Sequence, residues 1–347
     1  MKAPSGAPKA LESSMTSLIE RYRDRLPVGD STPIVSLGEG STPLLRAAHV
    51  SERLGTEIYL KCEGANPTGS FKDRGMTVAI SKALEQGAEA VVCASTGNTA
   101  ASAAAYAARA GLTALVLQPA GAVSSAKLAQ ARALGARVLE VQGTFDEALD
   151  AARVLADRGT HVLVNSGYNA FRLEGQKTAA FEIVEELGGA PDVLALPYGG
   201  GGNLCAYALG FAGAGAGMPR LVAGEAAERR TTVASAIRIA EPVHAKDVER
   251  AVSDSSGDVV PLADDEILEA WRELAIREGV LCEPSSAAGL AALARNGLEP
   301  GMRVVCVVTG HGLKDPETAA RLSPPPVSVG PDPDAIAEAA GGPEVGP

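Results

Sequence analysis

Aromatic side chains make up only 3% of the 347-residue chain. A core so short of rings relies on close backbone approach, and Ala and Gly fill much of the rest. No run of lysine and arginine gathers anywhere, and the formal net charge is −11 with a pI of about 5.0. The basic footprint of a nucleic-acid binder is missing. An acidic balance of this kind serves mainly solubility, so a phosphorylated anion has to be held by local groups.

There is no C-x-x-C and no H-E-x-x-H. The five cysteines (Cys62, Cys93, Cys205, Cys282, Cys306) are widely spaced, and the four histidines (His49, His161, His244, His311) are scattered. This excludes the usual zinc spacings and points to reduced, buried thiols in a cytoplasmic protein. No apolar run is long enough to span a bilayer, and the N-terminus lacks the apolar core of a secretory signal. Neither a metal, a nucleic acid nor a membrane is expected as a partner.

What is present is alternation. Short apolar, β-branched runs recur at Val91–Ala94, Ala114–Gln118, Arg137–Val141, His161–Val164, Val193–Pro197, Arg220–Ala223 and Arg303–Val308. Helical patterns lie between most of them, at Met76–Leu84, Thr99–Ala110, Lys127–Leu134, Phe145–Asp157, Leu173–Leu187 and Leu204–Phe211. Strand alternating with helix predicts an α/β protein with open parallel sheets covered by helices.

Three of these runs end in small polar or Gly-rich loops, and ligands of open α/β sheets bind at such strand ends. Val193–Pro197 leads into Gly199-Gly200-Gly201-Gly202-Asn203, where bare backbone N–H groups and a following helix N-terminus suit a phosphate. The loop is neither a Walker A motif nor a dinucleotide fingerprint. Val91–Ala94 leads into Ser95-Thr96-Gly97-Asn98-Thr99, a second anion cradle. An ordinary N-cap needs only one of those side chains. Arg303–Val308 leads into Thr309, and His311 follows in a Gly-flanked turn where a structural role is expected. A single lysine, Lys72, sits where the loop NPTGSFKDRG turns into a helix. Between a phosphate loop and a carboxylate loop, such a lysine suits a Schiff base with pyridoxal phosphate. Burial beside positive charge would lower its pKa and free the amine.

NPTGSFKDRG, ASTGNTAASAAAYAARAG, LEGQKTAAFEI, EPSSAAGLAAL and VTGHGLKDP together resemble the threonine synthase family of the shorter bacterial kind. The resemblance runs from about Leu37 to about Ala319. It implies the tryptophan-synthase-β-like architecture, fold type II of pyridoxal-phosphate enzymes, with two open parallel-sheet domains and the cofactor in the cleft. By resemblance, Lys72 would carry the cofactor and act as the catalytic amine, and Asn98 would bond its phenolic oxygen. Gly199, Gly200, Gly201, Gly202 and Asn203 would hold its phosphate, and Thr309 would face its pyridine nitrogen. Ser95, Thr96, Asn98 and Thr99 would bind the substrate carboxylate and part of its phosphate. Asn165, Ser166 and Arg172 would complete the leaving-group phosphate site. The implied reaction is loss of phosphate from O-phospho-L-homoserine and addition of water to give L-threonine. A phosphorylated amino acid is the implied small-molecule partner, and a homodimer the implied assembly.

Two loops differ from the family's usual pattern. Asn-Ser-x-Asn-Pro-x-Arg becomes NSGYNAFR, one residue longer and without proline, and Gly-Asn-Ala-Gly-Asn becomes GGGGN. A paralogue running another β- or γ-elimination or replacement on a related amino acid is therefore the alternative. The expected domains are a larger one from 16–71 and 167–322 and a smaller one from 72–166. A flexible N-terminus (1–15) and a Pro/Gly-rich flexible tail (323–347) flank them.

Overall fold

The computed structural model describes residues 16–121, 126–159 and 161–341. The expectations for 1–15 and for the last part of the tail, 342–347, lie outside these residues. In chain order the strands are β1 (Leu44–Arg46), β2 (Glu57–Cys62), β3 (Ala90–Ala94), β4 (Thr113–Pro119) and β5 (Arg137–Val141), then β6 (Val162–Leu163), β7 (Val193–Pro197), β8 (Arg220–Ala226), β9 (Asp258–Leu262) and β10 (Arg303–Val308). They form a six-stranded sheet ordered β1-β2-β10-β7-β8-β9 and a four-stranded sheet ordered β5-β4-β3-β6. Only the edge pair β1–β2 is antiparallel. Every strand of the smaller sheet comes from 90–163, and the larger sheet is built from both flanks of that segment.

Three strands escape the apolar-run pattern for physical reasons. β1 is a short, largely exposed edge. β9 carries Pro261, which suits only an edge position, and there it lies. β2 points Ile58 and Leu60 inward but also buries Lys61. Its ammonium donates to the Thr42 carbonyl at 2.7 Å and pairs with Glu182 at 3.0 Å.

The helices are α1 (Leu18–Arg21), α2 (Ala48–Leu54), α3 (Lys72–Glu85), α4 (Asn98–Ala110), α5 (Ala126–Ala133), α6 (Phe145–Asp157) and α7 (Ala170–Gln176). After them come α8 (Thr178–Leu187), α9 (Gly202–Ala214), α10 (Ala245–Asp254), α11 (Asp264–Arg277), α12 (Ala288–Asn296), α13 (Pro316–Leu322) and α14 (Pro333–Ala340). The helix expected over Leu173–Leu187 is two helices. Thr178 bonds back to the Gly175 carbonyl at 2.7 Å, and such back-bonding bends a helix.

β3 and β7 are buried at every position, as fits strands covered on both faces. Alanines of α4 pack on the smaller sheet from one side and α6 packs from the other. α3 and α7 meet at glycines: a Cβ on Gly175 would run into the Arg74 carbonyl. Arg74 is itself fully buried and donates to Glu63 at 2.7 Å and to Glu182 at 2.7 Å, tying the start of α3 to the turn after β2 and to α8. Removing one partner from such a pair costs about 3–5 kcal/mol.

From Asp315 onward the described residues form a separate compact unit. Part of it differs from the expected flexible tail. Asp332 accepts from the Asp334 N–H and Pro333 sits in the first turn, so 333–340 is helical.

Candidate active site

Four segments converge at the C-terminal end of β10. The Phe71 N–H donates to the Thr309 carbonyl at 3.1 Å, and Ser70 bridges Gly310, which places Lys72 at that strand end. The Glu283 N–H donates to the Gly310 carbonyl at 3.0 Å. Asn98 Nδ2 donates to Glu283 Oε2 at 2.6 Å, which brings in the start of α4. β7 lies beside β10 in parallel register, so the glycine loop opens at the same end.

Lys72 is the first residue of α3, and its Nζ lies 4.4 Å from the Phe71 ring centre. The residue as a whole is half-buried. Burial, reinforced by the Arg172 charge and partly offset by Glu283, lowers its pKa from 10.5 to about 7. About half of the amine is then neutral at neutral pH.

Arg172 lies under this lysine. It is fully buried and donates to the Val164 carbonyl at 2.5 Å and to the Lys72 carbonyl at 3.4 Å. Among the described residues no carboxylate pairs with it, and its Nε has no partner. Burial lowers its pKa to about 10, so it stays charged at neutral pH. The extra residue of NSGYNAFR is absorbed ahead of the helix. The Asn169 side chain accepts from the Phe171 N–H at 3.1 Å and caps α7, so the helix, not the loop, sets where Arg172 points. This differs from the expected phosphate contact, because the guanidinium has no surface open to a ligand. Asn165 differs as well. Its amide accepts from the Ala94 N–H at 3.0 Å and donates to the Ala94 carbonyl at 2.9 Å, which locks the end of β3 just before Ser95. Ser166 lies in the turn that follows and is half-buried.

In the Ser95–Thr99 loop the helix cap is Gly97, with no side-chain bond. Ser95 Oγ accepts from the Gly97 N–H at 3.1 Å. Thr96 and Thr99 are half-buried beside it, and Asn98 is buried, its Oδ1 unpartnered among the described residues. The ordinary capping reading of this loop therefore fails.

The glycine loop needs Gly at one position above all, since Gly201 has φ +88°. Its carbonyls are held outward: Gly199 accepts from Arg229 at 3.4 Å, Gly200 from the His244 N–H at 3.2 Å and Gly201 from the Cys205 N–H at 3.1 Å. In a trans peptide the N–H of the next residue points opposite to the carbonyl, so these bonds leave the amides of Gly200, Gly201 and Gly202 turned away from the groups that hold the carbonyls. Asn203 Nδ2 is buried without a partner among the described residues. Thr309 shares a 2.9 Å hydrogen bond with Ser286 Oγ.

Several site residues carried little sequence signal. Glu283 is a buried acid inside EPSSAAG, ion-paired with Lys127 and bonded to Asn98. Lys127, near the start of α5, is buried with it. Lys314 is buried, donates to the Thr68 carbonyl at 2.8 Å, and is lowered to about 8 by burial. His311 Nδ1 accepts from the Leu313 N–H at 3.1 Å, within its turn.

Residues 35–310 match the family described as pyridoxal-phosphate dependent enzyme. The chain is 48% identical to a threonine synthase of Synechocystis sp., covering 97% of this chain and 95% of that one. It is 48% identical to a threonine synthase of Mycobacterium tuberculosis, covering 96% and 98%. With that of Methanocaldococcus jannaschii it shares 46%, covering 89% and 84%. Among solved structures it superposes on a threonine deaminase of T.th. with a TM-score of 0.66 and 29% identity, covering 78% and 92%. Maize serine racemase shares the fold with a TM-score of 0.68 at 23% identity, covering 81% and 90%.

Proposed function

Because the chain belongs to the pyridoxal-phosphate dependent enzyme family, and within it to the threonine synthases, we propose that it converts O-phospho-L-homoserine and water to L-threonine and phosphate. It is a pyridoxal-phosphate dependent lyase acting on an amino acid. The observation that carries the site assignment is the convergence of Lys72, the start of α4 and the glycine loop at the end of β10, with the Lys72 pKa lowered by burial. The residues present fit the cofactor. The backbone amides of the glycine loop, the orphaned Asn203 Nδ2 and the partly neutral Lys72 are the donor set and nucleophile that a phosphorylated aldehyde needs.

When bound, pyridoxal phosphate supplies the carbonyl that condenses with an amine and the sink for electrons released at the substrate carbons. The chain's residues supply the rest. Lys72 would hold the cofactor and would serve as the amine that moves protons at the substrate Cα, Cβ and Cγ. Asn98 keeps a second amide proton for the cofactor's phenolic oxygen while Glu283 holds the first. The Thr309 hydroxyl, held by Ser286, would be a neutral partner for the ring nitrogen. Gly199, Gly200, Gly201, Gly202 and Asn203 bind the cofactor phosphate. Ser95, Thr96 and Thr99 take the substrate carboxylate and part of its phosphate, with Ser166 beside them. Asn165 acts one step back, by fixing Ala94. Arg172 puts positive charge beneath Lys72 and adds to the larger effect of burial in lowering the pKa of that amine; direct contact with a phosphate requires it to leave the Val164 carbonyl.

The smaller domain, 72–166, forms one wall of the cleft and excludes water until hydration is due. The homodimer belongs to the same proposal, and light scattering of the purified protein tests it. So does a reducing, cytoplasmic setting, supported by five free cysteines. Among the described residues no helix is long and apolar enough to cross a membrane. One observation favours the paralogue reading, a substrate with another leaving group: Arg172 presents no open surface. The deciding experiment supplies O-phospho-L-homoserine to the purified holoenzyme and follows phosphate and amino acid together. Equal amounts of L-threonine and phosphate are expected. Failure to release phosphate with the cofactor attached to Lys72 overturns the proposal.

A further inference from the structure

We propose that His244 is a ligand of the cofactor phosphate, supplying through Nε2 a side-chain donor that the glycine loop cannot. This rests on the reading of Gly199–Asn203 as the phosphate loop. Four successive glycines bring backbone donors only. A side-chain donor has to come from Asn203 or from another segment. His244 precedes α10, and its own N–H holds the Gly200 carbonyl at 3.2 Å. That bond fixes the residue against the loop. Its ring lies along the loop's far end: a Cβ built on Gly202 would sit 3.5 Å from His244 Cδ2 and 3.6 Å from Nε2. Nε2 is buried and has no partner among the described residues, and the side chain is 13% exposed. Asn203 Nδ2 is orphaned in the same way. Two unpartnered side-chain nitrogens thus accompany the unpaired amides at the N-terminus of α9. An anion at this helix N-terminus would give them an acceptor.

The competing occupant is a cation. Cys205, His244 and Asp247 place their ligand atoms within 4.8 Å of one another. The surroundings argue against it. The N-terminus of α9 carries partial positive charge. Burial, with the Asp247 charge adding to it, pushes the Cys205 thiol up to about 11, so it keeps its proton at neutral pH. Asp247 is 61% exposed and stands 3.6 Å from His244 Nδ1, too far for a hydrogen bond. An imidazole with a proton on Nε2 donates whether or not Nδ1 is also protonated.

Val243, the preceding residue, occupies the space beside Gly167, where a Cβ would lie 2.6 Å from its Cγ1. The segment that carries His244 therefore braces the 165–172 loop as well. A phosphate on the substrate is the second possible source of the same chemistry, and the experiment separates the two.

The test uses the full-length protein, His244→Ala and His244→Gln, each stripped of cofactor and titrated with pyridoxal phosphate and with pyridoxal, which lacks the phosphate. Borohydride trapping on Lys72 reads occupancy. His244→Ala is expected to weaken pyridoxal phosphate about tenfold to a hundredfold, the range for a hydrogen bond to a charged group. Pyridoxal affinity is expected to stay the same, and His244→Gln to recover part of the loss. The phosphorus NMR signal of the bound cofactor is expected to shift in His244→Ala. Unchanged pyridoxal phosphate affinity overturns the proposal. So does an equal loss for both ligands, which marks a disturbed loop. A raised KM for the phosphorylated substrate with cofactor affinity intact assigns His244 to the substrate and also overturns it. Zinc bound by the wild type and lost in His244→Ala, with cofactor affinity unchanged, assigns the cluster to a metal. If the wild type itself takes up no pyridoxal phosphate on Lys72, the phosphate-loop reading fails separately.

Discussion

Replacing Lys72 by methionine in the cofactor-free protein is expected to change stability in a pH-dependent way, and the size of the change follows from its surroundings. In the unfolded chain a lysine holds its proton up to about 10.5, whereas in the folded protein burial and the Arg172 charge release it at about 7. Between those values the unfolded state binds more protons, so folding grows more favourable as pH rises. Below about pH 7 the full penalty is present, on the order of 5 kcal/mol for a shift of this size, and above about 10.5 it vanishes. Integrated between the two states, the penalty at pH 9 is about 2 kcal/mol. Methionine fills a similar volume without a charge. The stability advantage of Lys72→Met over the wild type should therefore shrink by about 3 kcal/mol between pH 6 and pH 9. Urea unfolding of both apoproteins at several pH values measures it, because the subtraction removes every other titrating group. A difference that stays flat over this range refutes a depressed amine pKa, and with it the account of how Lys72 becomes a nucleophile.

Three further outcomes are expected. Arg172→Met should move the Lys72 amine back up from about 7, though not fully, because burial is the larger cause; the pH dependence of cofactor uptake reads the shift. Asn165→Ala removes both hydrogen bonds to Ala94 and should cost about 1–3 kcal/mol in unfolding experiments. It should also raise KM more than it lowers kcat, since the residue acts by holding the Ser95–Thr99 loop. Burial alone would raise the Glu182 carboxyl, but Arg74 and Lys61 outweigh it and hold the group at about 2 against 4.5 when unfolded. Its contribution is present above about 4.5 and lost as pH falls toward 2. Glu182→Gln should remove about 3 kcal/mol of acid sensitivity, measured by unfolding between pH 5 and 2.

The strand ends were legible because parallel strands buried on both faces read as apolar runs, and their loops break into Gly, Ser and Thr. The sequence pattern alone puts the glycine loop and Thr309 at strand ends, where the structure also has them. What the pattern hides is contact between segments far apart in the chain. Asn165 and Arg172 follow β6, where a ligand site is expected, and residue type alone suits both to a phosphate. Only the fold reveals that one amide is taken up by Ala94 and that the guanidinium lies beneath Lys72. Glu283 looks like any acid in a turn until Asn98, Lys127 and the Gly310 backbone meet around it. His244 sits in EPVHAKD with no periodicity to distinguish it, and its place beside Gly202 depends on α9 and α10 packing together. The same logic explains Gly310, where a Cβ would strike the Glu283 carboxylate. The end of β10 can gather Lys72, Asn98 and Glu283 around one point because that residue has no side chain. The chemistry of this site is thus set by which backbone can come close, a consistent use for a chain rich in alanine and glycine and poor in rings.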